Sequence, residues 1–179
     1  NTVYKIMEKT SGLPAVTTYY DAFARIIRNK TIGFDGNFIY QDTQYNEFGE
    51  EIEITLPYFE GDAAHWISTS YDILGRKTKI TKPGTSGREA LTSISYHGLR
   101  TVQSNALDQI KTTVKNVLDK VVRIDEEEGA WVEYFYDAMD NLVKTNASGV
   151  ITSLFYDARN RKTAMDDPDM GYWQYSYNA

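Results

Sequence analysis

Residues 133–145 read EYFYDAMDNLVKT, and residues 153–165 read SLFYDARNRKTAM. Both write Tyr-Asp and then, three residues after the Asp, another Asp or an Asn. With the Asp or Asn after the Tyr taken as an anchor, the phrase recurs along the chain. It appears in YYDAFARII (Asp21), QYNEFGEEI (Asn46), SYDILGRKT (Asp72), QSNALDQIK (Asn105) and VKNVLDKVV (Asn116), then at Asp137 and Asp157, and finally at Asn178 in SYNA. Successive anchors are 25, 26, 33, 11, 21, 20 and 21 residues apart, and a degenerate copy, SYHGLRT around Tyr96, lies inside the 33-residue gap. About eight phased copies predict a repeat architecture.

The conserved chemistry of the phrase predicts what each copy does. The residue before the anchor is Tyr20, Tyr45, Tyr71, Tyr136, Tyr156 or Tyr177. Three after it come Ala24, Gly49, Gly75, Asp108, Asp119, Asp140 and Asn160. Apart from Ala24 these are the residue types that enter the left-handed region at low cost. An Asp or Asn opening a turn, with a left-handed residue three later, describes a type I turn closed by a bulge, the tip of a β-hairpin. The anchor side chain accepts backbone N–H groups inside such a turn.

The flanks carry the period of strands. EEIEITL alternates Ile52, Ile54 and Leu56 with Glu51, Glu53 and Thr55, while Tyr134 and Tyr136, like Tyr175 and Tyr177, stand two apart on one strand face. Residues 105–121 also fit an amphipathic helix through Leu107, Ile110, Val114, Val117, Leu118 and Val121. The copying of NALDQI by NVLDKV favours two hairpin tips there. The fold expected is all-β, built of antiparallel β-hairpin repeats over residues 1–179.

Composition agrees. Of 179 residues 14 are Tyr and 4 are Pro, an aromatic excess that favours strands. A tyrosine offers an apolar body and a hydroxyl that can reach water or a backbone carbonyl. The net charge of −6 argues against nucleic acid or an anionic membrane as the main partner. The chain has no cysteine, hence no disulfide, thiolate nucleophile or Cys-based metal site. No apolar run reaches the ~20 residues that a spanning helix needs. A chain that opens on Asn1 reads as a piece of a longer polypeptide.

These phrases resemble the YD repeat of the RHS family, roughly Tyr-Asp-x-x-Gly-Arg, most closely in SYDILGR, where Tyr71, Asp72, Gly75 and Arg76 match it. Residues 33–62 and 166–179 also resemble RHS-core segments of bacterial toxin-complex proteins. The departures fall at the Gly-Arg pair, as in Asp119-Lys120, Asp140-Asn141 and Asn160-Arg161, and keep residues able to turn. The resemblance implies that the hairpins form a curved ribbon that spirals into a hollow shell, enclosing a C-terminal toxic polypeptide in the toxin members. It implies a secreted or cell-surface bacterial protein whose main partner is the rest of its own polypeptide. Related repeats occur in teneurin adhesion proteins, and carbohydrate binding has been attached to the repeat. It assigns the Tyr and turn positions, Asn105, Asn116 and Asn178 included, a structural role, with no cofactor and no catalysis.

Other groups are read as structural. His65 and His97 lack partners in the sequence for a triad or a metal site. Asp166, Asp167 and Asp169 around Pro168 lack the spacing of a calcium loop. DPDMG is one residue longer than the Asp-Pro-x-Gly element at which toxin members of the family cut themselves, and the repeat resumes after it. Glu126, Glu127 and Glu128 read as a solvated loop. Asn29 and Asn146 match the glycosylation triplet, and GTSGRE (84–89) reads as an exposed loop. Trp66, Trp131 and Trp173 are candidates for stacking on a sugar, or for covering the sheet. Strand edges at the limits of such a ribbon are expected to pair with other copies.

Overall fold

A computed structural model of the chain describes residues 3–8, 12, 14–84 and 87–178. Among the described residues the molecule is all-β, with every strand pairing antiparallel and a 3-10 turn at Glu127–Gly129. Contacts divide it into two compact units, Asn1–Ser93 and Ile94–Ala179.

In the first unit, β1 (Tyr4–Glu8), β2 (Val16–Tyr20), β3 (Ile26–Ile32) and β4 (Phe38–Tyr45) pair in order. β4 then takes two partners. Its C-terminal half pairs with β5 (Glu51–Thr55), and Ile39 and Tyr40 pair with the short β6 (Tyr58–Phe59). Thr55, 1% exposed, sits where β5 parts from β4. Its hydroxyl accepts the Asp42 N–H at 2.8 Å and its carbonyl accepts the Gln41 amide at 3.2 Å, satisfying groups that the divergence would strand. β7 (Trp66–Tyr71) joins β5, β8 (Lys77–Pro83) joins β7, and the first half of β9 (Glu89–His97) joins β8.

The second unit begins within β9 and continues through β10 (Arg100–Ser104), β11 (Ile110–Lys115), β12 (Val121–Asp125), β13 (Trp131–Tyr136), β14 (Leu142–Ala147), β15 (Val150–Tyr156), β16 (Lys162–Asp167) and β17 (Gly171–Gln174). From β10 onward each strand pairs with the next. Residues 105–121 are therefore two turns around a strand, and the helical alternative is excluded.

Strand order separates two anchors that look alike in sequence. Asn116, Asp137 and Asp157 cap hairpins at one end of the strands of their unit, whereas Asn105, between β10 and β11, lies at the other end. A repeat of about 21 residues holds two strands and two turns, so an anchor 11 residues from its neighbour is half a period out and faces the opposite edge.

The sheet has little closed core. Among the described residues the buried ones are Ala164, Thr17, Thr43, Thr55 and Thr112, while Phe23, Phe48, Leu74, Leu118 and many other large apolar side chains are exposed. Half-buried tyrosine and β-branched side chains pack along the strands instead, as the composition predicts for a thin sheet.

Candidate functional site

The candidate site is the line of hairpin tips. Asp72 shows how one tip is held. Its N–H donates to the Arg76 carbonyl at 2.9 Å, and the Gly75 N–H donates back to the Asp72 carbonyl at 3.0 Å. Its Oδ1 accepts the N–H groups of Leu74 and Arg76, and its Oδ2 accepts the Arg76 guanidinium at 2.8 Å. A bulge lies just before the anchor, where the register shifts between Ser70 and Tyr71. The same two backbone bonds and two side-chain acceptances recur at Asp21, Asn46, Asn105, Asn116, Asp137 and Asp157. Every corner residue lies in the left-handed region, with φ of 59° at Ala24, 82° at Gly49, 74° at Gly75, 61° at Asp108, 63° at Asp119, 69° at Asp140 and 60° at Asn160. Ala24, the one residue type with no preference for this region, adopts it too.

The tyrosines do something that spacing did not show. The Tyr71 hydroxyl donates to the carbonyl of Glu51, five residues past the previous anchor, at 2.7 Å. Tyr45 does the same to Ile26 (2.9 Å), Tyr136 to Val121 (3.0 Å), Tyr156 to Leu142 (3.0 Å) and Tyr177 to Lys162 (2.7 Å). In each case the acceptor is five residues past the previous anchor. Each repeat tyrosine therefore ties its hairpin to the one before, and Tyr20 instead stacks on Tyr4 with ring centroids 4.7 Å apart. The residue after the corner adds a cation over the next tyrosine ring. Arg25 lies 4.6 Å from the Tyr45 centroid, Arg161 4.8 Å from that of Tyr177 and Lys120 5.8 Å from that of Tyr136. Tyr177 thus stands in the repeat position, while Asn178 carries no described turn.

The electrostatics follow the bonds. The Arg76 guanidinium and the backbone N–H groups hold the Asp72 carboxyl below the usual carboxylate range. The Asn141 amide does so for Asp137, and the Arg161 N–H together with its guanidinium for Asp157. Burial pushes the Tyr45 and Tyr71 hydroxyls up, and the Glu51 carboxylate adds to it, so both remain donors at neutral pH.

The three tryptophans are placed differently. The Arg123 guanidinium lies 5.0 Å from the Trp131 ring, and Trp173 Nε1 donates to the Met170 carbonyl at 2.8 Å. Trp66 borders an open groove of about 550 Å³ shared with Tyr19, Arg28, Tyr40, Asp42 and Gln44. There Arg28 Nη2 pairs with Asp42 Oδ2 at 2.7 Å, and the Tyr58 hydroxyl donates to the same oxygen at 2.6 Å. The hydrogen bonds with Asp42 raise the Arg28 pKa. Asp42 stays below its ordinary value despite its burial, because Arg28 and Tyr58 donate to it.

The remaining sequence candidates are scattered. Asp167 closes a turn, its Oδ1 accepting the N–H groups of Asp169 and Met170 and its Oδ2 the Thr152 hydroxyl at 2.7 Å. The backbone carbonyl of His65 accepts the Leu56 N–H. Asn146 lies at the end of β14, its Oδ1 accepting the Gly149 N–H, and Asn29 lies within β3. Part of GTSGRE lies outside the described residues. Among the described residues no group of three His, Asp or Glu side chains is arranged to hold a metal, and no helix is long and apolar enough to cross a membrane.

No family model matches the chain, and no curated protein matches it in sequence. Solved structures do match. The chain is similar to a Photorhabdus luminescens Tc holotoxin pore carrying a TccC3 mutation, with a TM-score of 0.66 and 14% identity over 90% of this chain and 9% of that one. It is similar to a TcdB2–TccC3–TEV structure, with a TM-score of 0.58 and 13% identity over 97% of this chain and 12% of the other. A TcdB2–TccC3 structure without its hypervariable C-terminal region gives 0.58 and 13% over 92% and 12%. The chain thus spans about a tenth of the length of these structures. At such identities the likeness is one of fold, and the chain has the fold of the RHS/YD-repeat parts of toxin-complex proteins that its motifs resemble.

Proposed function

We propose that this chain is a non-catalytic stretch of repeat wall in a larger, secreted bacterial toxin protein, and that the assembled wall encloses or presents a toxic segment of the same polypeptide. The observation that carries the reading is the tyrosine ladder. Within each unit, bonds such as those from Tyr71 to Glu51 and from Tyr136 to Val121 join a tyrosine-bearing hairpin to its predecessor, so the repeats extend a sheet strand by strand. Repeats that contact only their neighbours gain stability by stacking, and each copy is a unit of length. The fold shared with toxin-complex structures many times longer supports the same reading.

The experiment is limited proteolysis of the parent polypeptide. The segment that follows the repeats should resist protease in the intact protein and become cleavable when two ladder tyrosines, Tyr71 and Tyr136, are changed to Phe. Cleavage of that segment at the same rate in both proteins argues against enclosure.

A second reading, a carbohydrate-binding or adhesion module, is favoured by the groove beside Trp66, where aromatic rings flank a bonded Arg28–Asp42 pair. A glycan array followed by titration of tryptophan fluorescence tests it. Saturable quenching that disappears in Trp66→Ala supports that reading, and an unchanged spectrum across the array rejects it.

A further inference from the structure

At four junctions between neighbouring tips, the residue after one corner faces the corner residue of the next. In the second unit Lys120 Nζ reaches Asp140 Oδ2 at 2.7 Å, and Asn141 Nδ2 donates to Asn160 Oδ1 at 3.1 Å. In the first unit the facing corner is glycine both times. Arg25 lies against Gly49, where a Cβ would stand 3.7 Å from its Nη1, and Glu50 lies against Gly75, where a Cβ would stand 3.1 Å from its Oε1. Where the corner carries a side chain, the pair is complementary. A lysine faces a carboxylate and an amide faces an amide. The glutamate faces a residue that brings no second negative charge, and its other oxygen accepts the Asn46 amide at 2.6 Å. Arg25 turns to the Tyr45 ring and the Asn46 carbonyl, and asks nothing of the corner.

We propose that this pair is the specificity contact between neighbouring hairpins: the side chain after one corner selects the corner residue of the next, and so decides which hairpin can follow which. The variation at the Gly-Arg positions of the motif is then matched across tips. Gly75, Asp140 and Asn160 all satisfy the left-handed turn, and the choice among them answers Glu50, Lys120 and Asn141. The repeats gain a fixed order, because a tip moved to a new neighbour meets the wrong partner. Coupling terms of this kind are the nearest-neighbour interfaces of a linear repeat array.

A double-mutant cycle at one junction tests the inference. Asp140→Asn keeps a residue suited to the corner, so the turn itself is little affected. In the wild-type chain it removes the ion pair and should lower the urea midpoint. In a Lys120→Glu chain it relieves a repulsion and should raise the midpoint. Each shift is on the order of 0.2–0.3 M, as expected for a surface pair, and should shrink with added salt. The opposite signs are the signature, since a purely local effect at residue 140 has one sign in both backgrounds. If Lys120→Glu fails to fold, Lys120→Gln replaces it, and Asp140→Asn should then shift the midpoint by less than half of its wild-type value. The second junction gives an independent check. Asn141→Lys with Asn160→Asp should raise the midpoint beyond the sum of the two single changes. Equal shifts in both backgrounds at residue 140, or strict additivity at the second junction, overturn the proposal. The cycle reads the stability of this chain alone, so its outcome is separate from whether the wall encloses a cargo.

Discussion

At the scale of the residue, the repeat rests on a backbone angle and a carboxyl or amide oxygen. Gly75 has φ of +74°, and its N–H donates to Asp72. Gly75→Val forces a β-branched residue into the left-handed region and brings its Cβ against Glu50, so it should destabilise the chain by about 1–2 kcal/mol in urea unfolding. The anchors respond to acid in a way that depends on their identity. Asp72, Asp137 and Asp157 have carboxyls held below the ordinary value, so their ionised form is favoured by folding. Stability from a depressed carboxyl is present above its unfolded value and is lost as pH falls through the folded one. Stability should therefore hold at pH 5 and fall from about pH 4 downward, as these groups protonate. Asn46, Asn105 and Asn116 make the same backbone bonds without a proton to take up. Asp72→Asn should flatten part of the acid limb in a thermal-melt series from pH 6 to pH 2.5. An unaltered limb would remove the anchor carboxyl as its source.

At the scale of the element, the turns were largely legible in the sequence and the connections between them were not. An Asp or Asn followed three residues later by Gly, Asp or Asn has few uses other than a tight turn with a left-handed corner, and the strands flanking it need only period two. The same local logic could not tell Asn105 from Asn116, because both turns make the same bonds. Only strand order puts them at opposite edges, and the signal available was the half-period spacing. The role of the tyrosines was half legible. Their amphipathic chemistry pointed to packing, but the acceptor of each hydroxyl is a backbone carbonyl 14 to 20 residues away, and a carbonyl has no sequence signature. The fork of β4 toward β5 and β6 was equally hidden, since Thr55 looks like any strand threonine. There Thr55→Val keeps the shape and removes the acceptor of the Asp42 N–H. It should cost about 1–3 kcal/mol, because a donor in a nearly closed site loses its partner. Chemical denaturation measures it, and the neighbouring Thr43→Val, whose side chain receives no donor among the described residues, is the control.

At the scale of the whole molecule, the chain has little core and gains stability from hairpins that lean on their neighbours. β1 and β17, the first and last strands, are exposed at every residue, with Met7 at 65% and Tyr172 at 61%. Exposed strand edges recruit further strands, so the chain should self-associate with rising concentration in sedimentation velocity. A Lys in place of Ile6 should shift it toward monomer. The most direct measurement of the central claim, that the repeat tyrosine bonds one hairpin to its predecessor, is native-state hydrogen exchange of Tyr136→Phe. Losing the bond to Val121 should cost about 0.5–1.5 kcal/mol, and it should act locally. Amides of β12, β13 and the tips at Asn116 and Asp137 should exchange several-fold faster, with those of β2 to β5 unchanged. Protection left intact around residues 116–141, or lost equally in both units, would contradict the ladder.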